Sequence, residues 1–195
     1  MFKVGQRLVT KLFNAGRFVL GRLAGVDDWQ LTPTAVTVEL DCGFVARLRD
    51  VIGEATELYA QFDWARVLET VESFFWAEFC DDYVELVKVR TYLDTLEGGR
   101  RSALATLRLG LSILLRLFAP VLPTISEELW SQRFATPHGD QRSIHTSPWP
   151  TIAELEAVQS PAHPSSFATA RAILGEIRRH KGRAKVSARW PVSHL

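Results

Sequence analysis

The sequence predicts an all-α protein folded as an antiparallel helical bundle. Apolar residues recur at helical spacing through most of the chain, which is the main sequence signal for amphipathic helices. Glycine and proline divide the chain into helix-length segments, at Gly25, Gly98-Gly99 and Pro120. A hydrophobic content of 47% and six Trp indicate a folded globular chain, and short connections favour antiparallel neighbours. The length of 195 residues suits one domain, or one domain and a fragment of a second.

The first predicted helix ends near Gly25 and has an unusual charge pattern. Residues 1–26 carry five cations and no acid. At about 100° per residue, the polar face spans roughly 140°. It holds Lys3, Arg7, Lys11, Asn14, Arg17, Phe18 and Arg22. The opposite, apolar face holds Leu8, Val9, Leu12, Phe13, Val19, Leu20 and Leu23. Solvated helix faces usually mix acids with bases, so an acid-free face with an aromatic favours contact with RNA. A solvated face with one misplaced Phe is the alternative.

Two further helices are predicted in the middle of the chain. After Pro33, alternating apolar residues predict a loop with a short extended piece over 36–40, followed by a helix over about 41–60. Asp63 is a predicted N-cap for a third helix that continues to Lys88 or beyond. Its apolar stripe consists of Trp64, Val67, Leu68, Val71, Phe75 and Phe79.

The second half of the chain predicts three more helices. A Leu-rich helix runs from Gly98-Gly99 to Pro120, and a capping box over 124–127 opens a short helix through Trp130. An irregular segment and a Pro/Ser patch precede a last helix over 166–180. The sequence of residues 185–188 then predicts the start of a strand. We therefore expect a helical-bundle domain over 1–150. Residues 151–195 are expected to be a linker, a helix and the start of a truncated C-terminal extension of the α/β type.

Charge and composition exclude several function classes. Residues 27–98 hold five bases and sixteen acids, whereas 168–195 hold seven bases and one acid, so the net charge of +1 says little about partners. Two Cys residues are too few for a disulfide scaffold and indicate a reduced, cytoplasmic setting. The most apolar stretch, 104–122, contains two Arg and a Pro, which argues against a membrane span.

No catalytic constellation is evident. The chain has no glycine-rich phosphate loop, and its five His residues lack metal-ligand spacing, so no cofactor or metal is expected. Asp81-Asp82 form a carboxylate pair, but adjacent helical residues point about 100° apart. We expect them to have a structural role, such as pairing with Arg on a neighbouring helix.

Four stretches resemble one known family. Residues 74–88, FFWAEFCDDYVELVK, resemble the central anticodon-domain helix of the valyl-tRNA synthetases, which are class I aminoacyl-tRNA synthetases. That family commonly has Trp where this chain has Asp82. Three other stretches are similar to further family motifs, in the order that the family requires. They are KLFNAGRFV at 11–19, FAPVLPTISEELW at 118–130 and SIHTSPWP at 143–150. Residues 177–192 are more weakly similar to the start of the family's C-terminal extension.

The resemblance implies the tRNA-binding region of a valine–tRNA ligase, which positions tRNA-Val for ATP-dependent aminoacylation. The ATP-site signatures of the family, H-I-G-H and K-M-S-K-S, do not occur, and the editing domain is also missing. Adenylation, ATP, Mg and valine would therefore belong to a catalytic domain that this chain lacks. We also expect a cytoplasmic monomer that does not contact a membrane.

An anticodon loop is single-stranded, and proteins read such loops by stacking bases on aromatic or Arg planes and by bonding the base edges. For this role we expect Phe18 to stack, with Arg17 and Asn14 as polar readers. Lys11, Arg7 and Arg22 would contact phosphates. Burial of Phe18, and structural hydrogen bonds for the two readers, are the alternatives. We expect core packing for Trp76, Phe79, Tyr83 and Trp130, and the basic tail is either solvated or a further phosphate contact.

Two competing hypotheses remain open at this point. One is the anticodon-binding domain of an isoleucyl-type synthetase, since isoleucyl and leucyl enzymes have analogous helices. The other is a helical protein-interaction module with an incidental cationic face.

Overall fold

The computed structural model describes residues 2–135, 142–187 and 190, and this part of the chain is helical without a strand. The α-helices are α1 Phe2–Leu23, α2 Glu39–Ala60, α3 Trp64–Ser73, α4 Val84–Val87, α5 Gly98–Phe118, α6 Pro123–Ser131 and α7 Ser166–Arg183. Short 3₁₀ helices span Asp28–Gln30, Pro33–Ala35, Lys88–Tyr92, Ile144–Thr146 and Ile152–Leu155. The predicted all-α class is confirmed.

A π-helix at Phe74–Tyr83 joins α3 to α4, so these elements form one continuous helical rod. The wider turn of a π-helix changes which side chains face the core. Both Phe74 and Phe75 are buried, although neighbouring residues of a regular α-helix point about 100° apart. The 3.6-residue pattern placed Trp64 in the apolar stripe. This prediction is wrong, because 48% of Trp64 is exposed at the start of α3.

The central helix of the bundle is α5. It is buried around most of its circumference, as expected for a helix surrounded by others, and it contacts α1, α2, α3 and α6. Gly110 lets the aromatic layer approach α5, because a Cβ there would lie 3.2 Å from the Phe79 ring and 3.4 Å from Phe44. The Phe44 and Tyr83 rings stack with centroids 4.0 Å apart. The core therefore consists of a Leu-rich helix packed against aromatic rings.

A buried carboxylate ties four parts of the bundle together. Asp41, at the start of α2, is fully buried and accepts hydrogen bonds from Arg90 at 2.7 and 3.0 Å, from the Tyr83 hydroxyl at 2.8 Å and from Ser102 at 2.6 Å. A buried carboxylate requires such partners to offset the loss of water. Burial raises the pKa of the Tyr83 phenol well above its usual value, so this group stays a hydrogen-bond donor.

Two expectations about helix starts have different outcomes. Asp63 caps α3, since its side chain accepts from the Arg66 N–H at 3.2 Å, as predicted. The capping box predicted at the start of α6 is wrong, because Leu122 occupies the N-cap position. Glu127 instead accepts from the Ser143 hydroxyl at 2.8 Å and the Ile144 N–H at 2.9 Å, so it binds residues 143–144 to α6.

Two predicted extended pieces also differ from the structure. Residues 33–35 form a 3₁₀ turn, and α2 begins at Glu39, within the predicted extended piece over 36–40. The strand predicted over 185–188 is absent from its described residues, since Lys185 lies in a turn with φ +52°. The last residue of that predicted strand, 188, lies outside the described residues.

The C-terminal segment packs onto the same core. Leu155, Val158 and Phe167 are buried with the bundle residues, and Arg49 donates to the carbonyls of Leu155 and Val158 at 2.6 and 2.7 Å. The domain boundary at 150 stays a prediction. Within the described residues, none of the helices has both the length and the apolar character that crossing a membrane requires.

Candidate nucleic-acid interface

Helix α1 lies on the bundle with its apolar face inward, as its periodicity predicts. Leu8, Leu12, Val19 and Leu23 are buried in the core. Gly16 brings α1 close to α6, because a Cβ at this position would lie 2.6 Å from a methyl carbon of Leu129. The close approach fixes the rotation of α1, and its polar face consequently points away from the bundle.

The six predicted site residues occupy this outward face but differ in exposure. Arg7, Asn14 and Arg17 are exposed, whereas Lys11, Phe18 and Arg22 are half-buried. Within the described residues, no carboxylate lies within ion-pair distance of the guanidinium groups of Arg7, Arg17 or Arg22. These three cations therefore give the face a positive charge that ligand phosphates can neutralise. Lys3 lies in α1, but its side chain is outside the described set.

Lys11 is the exception, and it corrects the expectation of a wholly uncompensated face. Its ammonium donates to Asp81 at 2.9 Å and lies 4.8 Å from the centre of the Trp76 ring. Both partners belong to the π-helix in the acidic middle of the chain. With 30% of the Lys11 side chain and 55% of the Asp81 side chain exposed, the pair is accessible to solvent, which limits its strength.

A groove with a volume of about 510 Å³ runs between α1 and the π-helix. Its lining residues are Gln6, Arg7, Thr10, Lys11, Asn14 and Trp76. Sequence reasoning missed Gln6 and Thr10, which precede Asn14 by eight and four residues and so lie on successive turns of the same side of α1. The half-buried Trp76 donates its indole N–H to Glu72 at 3.3 Å and presents part of its surface to the groove. The groove combines cations, amide and hydroxyl groups and an aromatic wall.

The C-terminal half of the polar face also combines cations with aromatic rings. The Arg22 guanidinium lies 4.2 Å from the centre of the exposed Tyr92 ring, and that of Arg17 lies 5.6 Å from the Phe13 ring. Phe18 packs partly against the core. The structure thus leaves part of the Phe18 ring exposed and holds the rest by packing.

The remaining aromatics and acids follow the sequence expectations. Phe79, Tyr83 and Trp130 are buried, which confirms the predicted core packing for these three. Asp81 and Asp82 have the expected structural role. Asp82 accepts from Arg171 at 2.7 Å and from Arg178 at 2.9 Å, both on α7.

Cys80 lies next to this site, in the π-helix, and is buried. Burial raises the pKa of the Cys80 thiol to about 12, so this thiol stays protonated at neutral pH. In residues 2–135, 142–187 and 190, no three His, Cys, Asp or Glu side chains are grouped to hold a metal ion. The described residues of this face therefore group cations and polar side chains around an aromatic wall.

The described structure is thus a helical bundle with a cationic, aromatic face on α1. A family model described as "Anticodon-binding domain of tRNA ligase" matches residues 41–195. The match covers more than half of the chain, so the protein belongs to this family of tRNA-ligase anticodon-binding domains.

Three similar relatives carry one name. The chain is 40% identical over 194 residues to the valine–tRNA ligase of Thermobifida fusca and 44% identical over 190 residues to that of Leifsonia xyli. These alignments cover 99% and 97% of this chain but 21% of each relative. The valine–tRNA ligase of Cutibacterium acnes is 42% identical and the alignment covers 20% of its length. The chain thus spans about a fifth of these relatives. Helix α1 precedes the family match but lies within the similarity to the first of them.

Proposed function

We propose that this chain binds the anticodon arm of a tRNA on the polar face of α1 and in the groove beside it. The observation that carries the proposal is the set of three exposed or half-exposed Arg residues without a carboxylate partner in the described structure, next to a groove with an aromatic wall. Family membership supports the same ligand. Phosphates would neutralise the cations, and the bases of a single-stranded loop would enter the groove.

Each side chain has a role that follows from its exposure. Arg7 and Arg22 contact phosphates at the two ends of the face, about 22 Å apart along the helix axis. Asn14 and Arg17, both exposed, offer hydrogen bonds to base edges. The exposed part of Phe18 offers a stacking surface, and a stacked base contributes about 1–3 kcal/mol.

Lys11 would contact phosphate only in competition with Asp81. The pair at 2.9 Å is partly exposed, so an RNA phosphate approaching the groove can replace the carboxylate as the partner of the ammonium. Movement of Lys11 also uncovers the face of Trp76 that it occupies in the free protein.

We further propose that the parent protein is a valine–tRNA ligase whose cognate ligand is tRNA-Val. The names of the relatives support this reading. Valine, ATP and Mg would be handled by the rest of the longer protein, in the cytoplasm, with this domain acting as a monomer. An isoleucyl-type enzyme is the alternative, and a comparison of valine and isoleucine tRNA transcripts decides between the two.

Substitution of the two residues proposed to bond base edges tests the site. Arg17→Ala with Asn14→Ala is expected to weaken binding of a valine tRNA transcript by ten-fold or more, equivalent to about 1.4 kcal/mol, because base-edge and charged contacts are lost. Filter binding from 50 to 300 mM salt measures both the affinity and its salt dependence.

A matched control is Arg66→Ala, since Arg66 is an exposed arginine in the first turn of α3 and does not line the groove. It should leave binding unchanged. Equal affinities for the wild type and the double variant, with unchanged circular dichroism, would remove these residues from the site. Binding of tRNA without salt dependence, or none at all, would favour a protein-interaction module.

A further inference from the structure

Beyond its first turn, α7 contacts the π-helix through ion pairs. Among its described residues only Phe167, in the first turn, is buried. Further along, Arg171 donates to Asp82 at 2.7 Å and to Glu78 at 3.1 Å, and Arg178 donates to Asp82 at 2.9 Å. Only 14% of the Asp82 side chain is exposed, so its carboxylate is committed to α7. Asp82 therefore binds two Arg side chains of α7, in addition to the packing of Phe167 and the pair between Arg171 and Glu78.

The same contacts place α7 beside the α1 groove. Arg178 also donates to the backbone carbonyl of Asp81, while the side chain of Asp81 binds Lys11 at 2.9 Å. One residue of the π-helix thus contacts a cation of α1 through its carboxylate and a cation of α7 through its carbonyl. The groove and the end of α7 are neighbours on one surface.

The exposed cations at this end of α7 point away from the bundle. We call Arg179, His180 and Arg183 the α7 basic end; all three are exposed. Arg179 and Arg183 are four residues apart and share one helix face, and Arg179 pairs with Glu176 on its own helix. Within the described residues, Arg183 has no carboxylate within ion-pair distance. Residues 168–195 together carry a net charge of +6, so this end attracts anions.

We propose that Asp82 is a positioning residue that holds the α7 basic end beside the α1 groove as a second phosphate-binding element. The α7 basic end would bind the ribose-phosphate backbone of the RNA stem that adjoins the loop bound on α1. The inference therefore rests on the proposed function, which places that loop on α1. Helix C-termini do favour cations through the helix dipole. That effect does not require two further Arg side chains to converge on Asp82.

The salt dependence of binding reports the number of phosphate contacts and therefore tests this proposal. Arg179→Gln with Arg183→Gln should make the slope of log K against log salt less steep by about 1.5, since each lost contact removes about 0.7–0.9. The probe is the valine tRNA transcript, with the full 195-residue chain. Arg66→Gln is the matched control, because Arg66 is also exposed and also pairs with an acid three residues away. A slope equal to that of the wild type would overturn the proposal.

The role of Asp82 needs its own variants. Asp82→Asn should reproduce most of the loss in slope, because Arg171 and Arg178 lose their anchor, whereas Asp82→Glu should restore it. In the Arg179→Gln, Arg183→Gln background, Asp82→Asn should reduce the slope no further, since both changes act on the same contacts. A purely structural role would lower the melting temperature and leave the slope as it is, and that result would contradict the assignment.

Failure of this inference can be distinguished from failure of the proposed function. If the wild-type chain binds the transcript with steep salt dependence and responds to Arg17→Ala, but not to the α7 variants, only the α7 element is excluded. If the wild-type chain retains no tRNA at 50 mM salt, the α1 site itself is excluded.

Discussion

Lys11 lies on the face of α1 that the sequence predicts, but its ion pair with Asp81 was not predicted. Helical periodicity places it on the outward face, where it lies. Its partner Asp81 is 70 residues away in sequence, and no local pattern encodes such a contact. The exposures of Phe18 and Trp76 likewise depend on neighbouring helices. The orientation of α1 could therefore be predicted from the sequence, whereas the burial of each side chain could not.

Asp81 provides a test at this scale. Asp81→Asn should tighten tRNA binding two- to five-fold at 50 mM salt, because the change frees Lys11 and removes a negative charge from the edge of the groove. The gain should shrink at 300 mM, where charges are screened over shorter distances. Isothermal titration of both proteins with the same transcript measures it. Glu69→Gln, an exposed acid on α3, should have no effect. Weaker binding by the Asp81 variant would show that the carboxylate orients Lys11 for the RNA.

At the scale of elements, the helices and their ends were largely predictable. Gly25 ends the first helical segment with φ +76°, and Asp63 caps α3 as its position indicates. The π-helix was not predictable, because a 3.6-residue template assumes a regular α-helix with i→i+4 hydrogen bonds, whereas a π-helix has i→i+5 bonds. Glu127 was assigned to a cap because its local motif fits one. A long-range hydrogen bond to Ser143 prevails in the structure.

The contact between α1 and α6 can be tested with two glycines of one helix. Gly16→Ala should lower the free energy of unfolding by about 1–3 kcal/mol, because its Cβ would lie 2.6 Å from the fully buried Leu129, which has little room to move. Gly21→Ala should raise it by about 0.5–1 kcal/mol, since nothing lies within 4 Å of that Cβ and alanine favours helix. Urea denaturation of both variants gives the two values. Equal effects at the two positions would mean that α1 does not pack closely against α6.

At the scale of the whole molecule, the predicted order of helices is confirmed. The contacts that hold the C-terminal segment to the bundle could not be predicted from the sequence. Arg116 on α5 donates to Glu154 at 2.6 and 3.0 Å, and the Trp149 indole donates to Thr56 at 2.9 Å. These contacts join residues 38 and 93 positions apart, so they depend on the finished fold. They hold the C-terminal segment against α2 and α5, where it covers the core.

This fastening makes stability depend on pH. Burial opposes the ionisation of Glu154, but the hydrogen bonds and charge of Arg116 lower its pKa below the ordinary 4.5. A carboxyl with a lowered pKa in the folded state stabilises the protein above about pH 4.5, and that contribution is lost as the pH falls through the folded value. Glu154→Gln should therefore be less stable than the wild type by about 1–2 kcal/mol at pH 7, since it leaves the buried Arg116 without a charged partner.

Melting curves between pH 3 and pH 7 check this expectation. The difference between Glu154→Gln and the wild type should be present at pH 7 and should decrease as the pH falls below 4.5 through the lowered pKa of Glu154. Glu156→Gln, an exposed acid two residues away, should follow the wild type throughout. A constant difference at all pH values would show that the carboxylate charge is not what fastens the segment.

The most direct test of the α1 site is a competition between two RNA hairpins of equal length and charge. One is the anticodon stem-loop of the valine tRNA, and the other is the acceptor stem closed by a stable tetraloop. Each displaces labelled full-length transcript from the 195-residue chain at 100 mM salt. Binding on α1 predicts that the anticodon stem-loop competes nearly as well as the whole tRNA, and that the acceptor hairpin competes at least ten-fold less well. Equal competition by the two hairpins would contradict it, because the domain would then be recognising charge alone.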